Sequence, residues 1–132
     1  TANKQMGVIL QLETVQALQQ LEAIAAVEGV DALFIGPADL SGSMGHVGQT
    51  MHPAVMDRMS QAVLRCKAIG MPVGTIGGEP ESVAQYRAAG FDYVAVDSDL
   101  GLFMQGARSA IAALRTPSGD HVHSVSSGTK GY

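Results

Sequence analysis

Two carboxylates stand out by position. Glu13 directly follows the apolar run 6–12 (MGVILQL), and Asp39 lies just past the apolar run Ala32-Leu33-Phe34-Ile35. Both runs read as buried strands. A carboxylate beyond the carboxyl end of a buried parallel strand sits where α/β folds place their chemistry. If the two strands are neighbours in a parallel sheet, both carboxylates face the same mouth. Like charges so placed are unfavourable unless a cation or a proton lies between them. An all-oxygen pair suits a hard divalent ion such as Mg²⁺ or Mn²⁺, with water and substrate completing the coordination. The competing reading is that Glu13 and Asp39 each cap the helix that follows.

Between strand and carboxylate stands Gly36-Pro37-Ala38. Glycine allows backbone angles closed to other residues, and proline fixes φ and donates no hydrogen bond. The second strand therefore stops at this turn, with Asp39 held just beyond it.

The rest of the chain must supply the frame. Thr14 is placed to cap a helix over 15–27, with Leu18, Leu21 and Ala25 on one face and Gly29 closing it. Residues 41–50 (SGSMGHVGQT) are polar and rich in glycine, which predicts a loop. Pro53 opens a helix to about Ile69, with Val55, Met59, Ala62, Val63 and Cys66 facing inward. A third strand over 72–76 ends at Gly77-Gly78, and a short helix runs from Glu79-Pro80 to Ala89. A fourth strand over 93–96 leads to a last helix, about 100–114, capped by Ser98 or Asp99. The predicted fold class is α/β with four consecutive β-α units. That pattern fits a parallel sheet or half of a (β/α)₈ barrel, since a whole barrel needs about 250 residues. The half-barrel spans 1–115, and 116–132 reads as a flexible polar tail too poor in apolar residues to fold. The start, without an initiator Met, reads as a cut inside a larger chain.

Composition narrows the function. A net charge of −4 gives no electrostatic footprint for nucleic acid. The single cysteine, Cys66, excludes an internal disulfide and suits a reducing, cytoplasmic setting. No apolar run reaches the roughly 20 residues that span a bilayer, so no membrane partner is expected. No GxGxxG or Walker loop follows any strand.

The segments Gln11-Leu12-Glu13-Thr14 and 28–41 (EGVDALFIGPADLS), followed by Met44-Gly45 and His52-Pro53, resemble the HpcH/HpaI family of class II, metal-dependent pyruvate aldolases. The resemblance covers about residues 5–114. It implies a TIM barrel, of which this chain is the second half, strands five to eight. Glu13 and Asp39 would be the metal ligands, for Mg²⁺, Mn²⁺ or Co²⁺, with Gln11 beside the ion. Backbone amides of the Gly36-Pro37-Ala38-Asp39 turn would hold the carboxylate of pyruvate, Pro37 itself being unable to donate.

The implied activity is a carbon–carbon lyase that cleaves or forms 4-hydroxy-2-oxo acids through a pyruvate enolate. Its partners would be pyruvate or oxaloacetate and an aldehyde. The family's catalytic arginine and histidine come from the first half of the barrel, so the catalytic residues lie outside this chain. The resemblance also implies a homo-oligomer, a hexamer, with the last helix packing across subunits. The rival readings are an oxaloacetate decarboxylase or macrophomate-synthase-like enzyme, and a non-catalytic fragment that needs a complementary half. The citrate-lyase-like branch fits the 36–41 motif less well.

Asp97 departs from the resemblance, which implies a small residue there. It either alters substrate choice at the mouth or caps the last helix. His46 reads as a solvated loop residue, and His52, just before Pro53, as a cap or a packing residue. Cys66 reads as inert, being on the apolar face of its helix. Gly77-Gly78 reads as a wall that lets substrate approach closely, since no basic residue stands beside it.

Overall fold

In the computed structural model, which describes residues 5–115, four short strands form one parallel sheet. They are β1 (Ile9–Leu12), β2 (Ala32–Ile35), β3 (Val73–Ile76) and β4 (Tyr93–Ala95), adjacent in chain order. Register sets the two faces, because side chains alternate along a strand. Leu12, Ile35, Thr75 and Val94 share one row, and Leu10, Leu33 and Val73 another on the same face. That face carries the core. Gln11, Phe34, Gly74 and Tyr93 form a row on the opposite face, where Gln11 is exposed and the Phe34 and Tyr93 rings are half-buried. Four sequential parallel β-α units with one covered face make a partial TIM barrel, as the sequence predicts.

The helices are α1 (Val15–Gln19), α2 (Leu21–Ala25), α3 (Pro37–Ser43), α4 (Pro53–Ala68), α5 (Pro80–Ala89) and α6 (Asp99–Arg115). The inward face expected for α4 is observed: Val55, Met59, Ala62, Val63 and Cys66 are all buried. They pack with Leu18, Leu21, Leu33, Ile35 and Leu40 in one cluster. Each large apolar side chain so buried contributes about 1.5–3 kcal/mol over leaving it exposed. Burial pushes the Cys66 thiol up to about 11, which keeps it protonated and inert as a nucleophile.

Three expectations need correction. The single helix over 15–27 is two five-residue helices that break at Gln20 and end at Ala25. Arg65 from α4 donates Nη1–H to the Leu18 carbonyl at 2.6 Å, occupying an acceptor that a continuous helix reserves for the amide four residues on. The loop expected over 41–50 begins later, because residues 41–43 belong to α3. Leu40 and Ser41 are fully buried, and the Ser41 hydroxyl donates to the Ala38 carbonyl at 2.6 Å. The outer strands are also shorter than their apolar runs, since pairing register and not apolarity fixes where a ladder ends.

α6 differs from the other long helices. None of its residues is buried, and Phe103 and Leu114 are 72% and 88% exposed. The polar tail expected over 116–132 lies outside the described residues.

Candidate active site

The carboxyl ends of β1 and β2 meet at one glycine. The Gly36 N–H donates to the Leu12 carbonyl at 3.2 Å and ties the two strand ends together. A Cβ on Gly36 would stand 2.7 Å from Gln11 Nε2 and 3.3 Å from Glu13 Oε2. Only glycine leaves those two side chains their place. Gln11 Nε2 in turn donates to Glu13 Oε2 at 2.6 Å, which orients the carboxylate. Among the described residues, no other hydrogen bond reaches the Glu13 carboxylate.

Asp39 is in the first turn of α3, which Gly36 precedes at the cap position without a side-chain capping bond. Its side chain is exposed and makes no hydrogen bond or ion pair among the described residues. The helix after Glu13 is capped by Thr14, whose Oγ1 accepts from the Ala17 amide at 3.0 Å. Neither carboxylate therefore serves as a helix cap. Both lie at the carboxyl end of the sheet, after adjacent parallel strands in register.

The remaining turn residues divide by role. Pro37 is buried at the first position of α3 and Ala38 is exposed. Because the Gly36 amide is spent on Leu12 and Pro37 has none, the Ala38 and Asp39 amides are the donors this turn has left for a ligand.

The donor set fits a hard divalent cation. Glu13 and Asp39 offer carboxylate oxygens, and the ion pair between Arg65 and Glu22 lies elsewhere, between α4 and α2. No group of three His, Cys, Asp or Glu gathers among the described residues. An ion here would draw its other ligands from water and substrate, which is how Mg²⁺ is usually held.

A groove of about 500 Å³ runs from Pro37 and Ala38 across Ile76, Gly77 and Gly78 to Asp97. Thr50, Met51, Glu79, Glu81, Ser82, Gln85 and Tyr86 complete its walls. Sequence reasoning placed the Gly-Gly turn here but missed the wall from Glu79 to Tyr86. Its signal was available: the groove face of α5 follows directly on that turn. The two glycines differ in role. A Cβ on Gly77 would stand 2.8 Å from Ser82 Oγ and 3.1 Å from the Tyr86 ring, whereas one on Gly78 would meet nothing within 4 Å. Gly77 makes room for α5, and Gly78 makes room in the groove.

Asp97 lines this groove and does not cap α6. Its Oδ1 accepts from the adjacent Ser98 amide at 2.7 Å. Ser98 is the cap, its Oγ accepting from the Gly101 amide at 3.0 Å. His52 caps α4 through Nδ1, which accepts from the Ala54 amide at 3.2 Å. His46 lies in the loop, as expected, where it is half-buried and stacks on His52 with ring centroids 3.7 Å apart.

The HpcH/HpaI aldolase/citrate lyase family model matches residues 1–106. A 2-dehydro-3,6-dideoxy-6-sulfogluconate aldolase from Pseudomonas putida is 50% identical over 86% of this chain and 45% of that protein. A pyruvate aldolase from Rhizobium etli is 41% identical over 87% of this chain and 45% of that protein. The crystal structure of an HpcH/HpaI aldolase/citrate lyase family protein from Burkholderia cenocepacia superposes with a TM-score of 0.77 at 39% identity. That match covers 88% of this chain and 45% of the other. The chain thus spans less than half the length of these relatives.

Proposed function

The chain belongs to the HpcH/HpaI aldolase/citrate lyase family, and from that membership we propose that it is the metal-binding half of a class II pyruvate aldolase. The observation that carries this reading is the arrangement around Gly36: a Glu13 carboxylate oriented by Gln11, and an Asp39 carboxylate with no capping duty, both at the carboxyl end of the sheet. The reaction proposed is cleavage or formation of a 4-hydroxy-2-oxo acid through a pyruvate enolate, with pyruvate or oxaloacetate and an aldehyde as partners.

Glu13 and Asp39 would hold Mg²⁺, Mn²⁺ or Co²⁺. When bound, such an ion supplies Lewis acidity toward the oxygens of a 2-oxo acid. The chain's own residues do the rest of the positioning. Gln11 fixes one Glu13 oxygen and leaves the other for the site. The Ala38 and Asp39 amides face the position proposed for the substrate carboxylate, and Gly36 keeps the backbone close to it. The groove over Gly78 is the proposed way in for the aldehyde. Among the described residues, no histidine hydrogen-bonds Glu13 or Asp39. By the family resemblance, proton transfer is assigned to groups outside this chain, and the positioned acid–base contribution of about 10²–10⁴-fold with them.

Assembly belongs to the same proposal. The exposed apolar side chains of α6 and the open sheet face support a homo-oligomer, a hexamer by family resemblance.

The test uses the chain alone and the chain mixed with the separately expressed amino-terminal half of the Pseudomonas putida relative. Both are assayed with Mn²⁺ for aldol cleavage and for oxaloacetate decarboxylation. The proposal expects aldol cleavage only in the mixture. It expects weak decarboxylation from the chain alone, because decarboxylation needs no general base to begin. Aldol cleavage by the chain alone would overturn the division of labour. Decarboxylation without aldol cleavage in the mixture would favour the decarboxylase reading. Neither reaction in the mixture would leave a non-catalytic fragment.

A further inference from the structure

We infer that Ser43 is a positioning residue for the site: its hydroxyl closes a ring between the two segments that carry Glu13 and Asp39, and so sets the gap between those carboxylates. The inference rests on the proposed function for treating the two carboxylates as ligands of one ion. The ring is a property of this chain, since both partners of every bond in it lie between residues 11 and 43.

Each segment is pinned at two points. At the strand ends, the Gly36 N–H donates to the Leu12 carbonyl at 3.2 Å. Farther out, the Val15 N–H donates to Ser43 Oγ at 3.0 Å. Glu13 lies between the pins on the first segment, and Asp39 lies between them on the second. The two sides have similar reach despite their unequal residue counts. Residues 12–15 leave β1 and pass through an extended Thr14, at φ −131° and ψ 155°. Three extended steps cover at most about 10 Å. α3 carries the chain from Gly36 to Ser43, and a helix of that length also spans about 10 Å.

The sides are also stiff. Leu40 and Ser41 are fully buried, and the Ser41 hydroxyl donates to the Ala38 carbonyl at 2.6 Å. Gln11 holds the Glu13 carboxylate from the strand below. Thr14 already caps α1 by accepting from the Ala17 amide. The Val15 amide is one of the donors that a helix start leaves without an internal partner. It is met by a hydroxyl 28 residues away, at the far end of the helix that carries Asp39 in its first turn. A cap serving α1 alone needs no such reach. Without this bond, the segments 12–15 and 36–43 are hydrogen-bonded to each other at Gly36 alone among the described residues, and Asp39 can shift against Glu13.

The experiment compares the full wild-type chain with Ser43→Ala, Ser43→Thr and Ser98→Ala. Isothermal titration reads Mn²⁺ affinity. NMR of the metal-free chain reads the Gln11 side-chain amide, which reports the pose of Glu13. Ser43→Ala should weaken Mn²⁺ binding by about threefold to tenfold, the worth of one neutral hydrogen bond, and should shift the Gln11 signal. Ser43→Thr, which keeps the hydroxyl, should restore both. Ser98→Ala removes a hydroxyl–amide cap of the same 3.0 Å length from α6 and should change neither. Unchanged Mn²⁺ affinity in Ser43→Ala would overturn the inference. So would an equal loss in Ser98→Ala, or Ser43→Thr behaving like Ser43→Ala. If the wild type binds no Mn²⁺, the metal reading falls and the Gln11 signal decides. A shift in Ser43→Ala then leaves Ser43 as the residue that positions Glu13, and no shift removes that role too.

Discussion

The β1–β2 unit and the β3–β4 unit are built on one plan and finished differently. In the first, Gly29 turns the chain at φ +90°, and the Asp31 carboxylate accepts from the Val8 amide at 2.7 Å. In the second, Gly90 does the same at φ +94°, and Asp92 accepts from the Val73 amide at 2.9 Å. Even the backbone bonds match: the amides of Asp31 and Asp92 donate to the Val8 and Val73 carbonyls, both at 2.9 Å. These shared parts lie at the amino ends of the strands. At the carboxyl ends the units diverge. The first carries Glu13, Gly36 and Asp39, and the second carries Gly77, Gly78 and Asp97. One end of the sheet thus holds the fold together while the other is free to vary, as in barrels generally.

The sharpest break of this comparison is at Asp39. Asp39→Asn, in the chain combined with a complementary half, should weaken Mn²⁺ binding and aldol cleavage together. The loss should exceed about 100-fold, the upper end for a residue that only orients a metal ligand. Gln11→Ala should cost less, about 10-fold, because Gln11 orients Glu13 and would not itself ligate. Isothermal titration with Mn²⁺ checks both. Full metal affinity in Asp39→Asn would place the ion elsewhere.

Much of this was legible in the sequence. The inward face of α4 follows from spacing alone, because a long amphipathic helix has many positions that agree. The positions of Glu13 and Asp39 followed from two apolar runs and a glycine–proline stop. What was not legible depended on contacts distant in sequence. The break at Gln20 goes with an Arg65 bond to the Leu18 carbonyl, and nothing in the local sequence announces an arginine arriving from α4. The extension of α3 into a glycine-rich segment depends on Leu40 and Ser41 finding burial against other elements. The commitment of the Gly36 amide to Leu12 needs the strands already paired.

The shared amino ends predict a structural effect without a chemical one. Asp92→Ala should destabilise by about 1.5–3 kcal/mol, the range for a hydrogen bond to a charged group. Its bond is partly buried. Asp31→Ala should cost less, since its bond is exposed and water can replace it. Urea unfolding checks the order, and Mn²⁺ affinity should not move in either variant that remains folded. A lower Mn²⁺ affinity in folded Asp31→Ala would show that the two ends of the sheet are coupled.

A smaller effect is expected at the paired glycines. Gly29→Ala and Gly90→Ala each force a side chain into left-handed backbone, at a cost of about 1–2 kcal/mol. Gly90→Ala should sit at the upper end, because its Cβ would also stand 2.6 Å from Lys67 Nζ, whereas nothing lies within 4 Å at Gly29. Thermal melts of the two variants should differ in that order. Equal shifts would mean that the Lys67 side chain moves aside freely.

The smallest effect separates the units by pH. The Arg65 guanidinium holds Glu22 in two hydrogen bonds, one of 2.6 Å from Nε, and the same arginine reaches the Leu18 carbonyl. These bonds draw the Glu22 carboxyl down from 4.5 to about 2. A carboxyl whose folded pKa is lowered stabilises the fold above its unfolded value and loses that contribution as pH falls through the folded one. The clamp should therefore be intact above about pH 4.5 and released progressively toward pH 2. The pair is solvent-facing, so the effect on global stability should be slight. Its local signature should be clear: amide exchange in α2 should quicken across that window, and Glu22→Gln should abolish the step. No arginine clamp of this kind appears in the β3–β4 unit among the described residues, so amides of α5 should show no matching Glu22-dependent step. An equal loss of protection in α5 would mean that the two units open together, and that their common plan makes them one cooperative body.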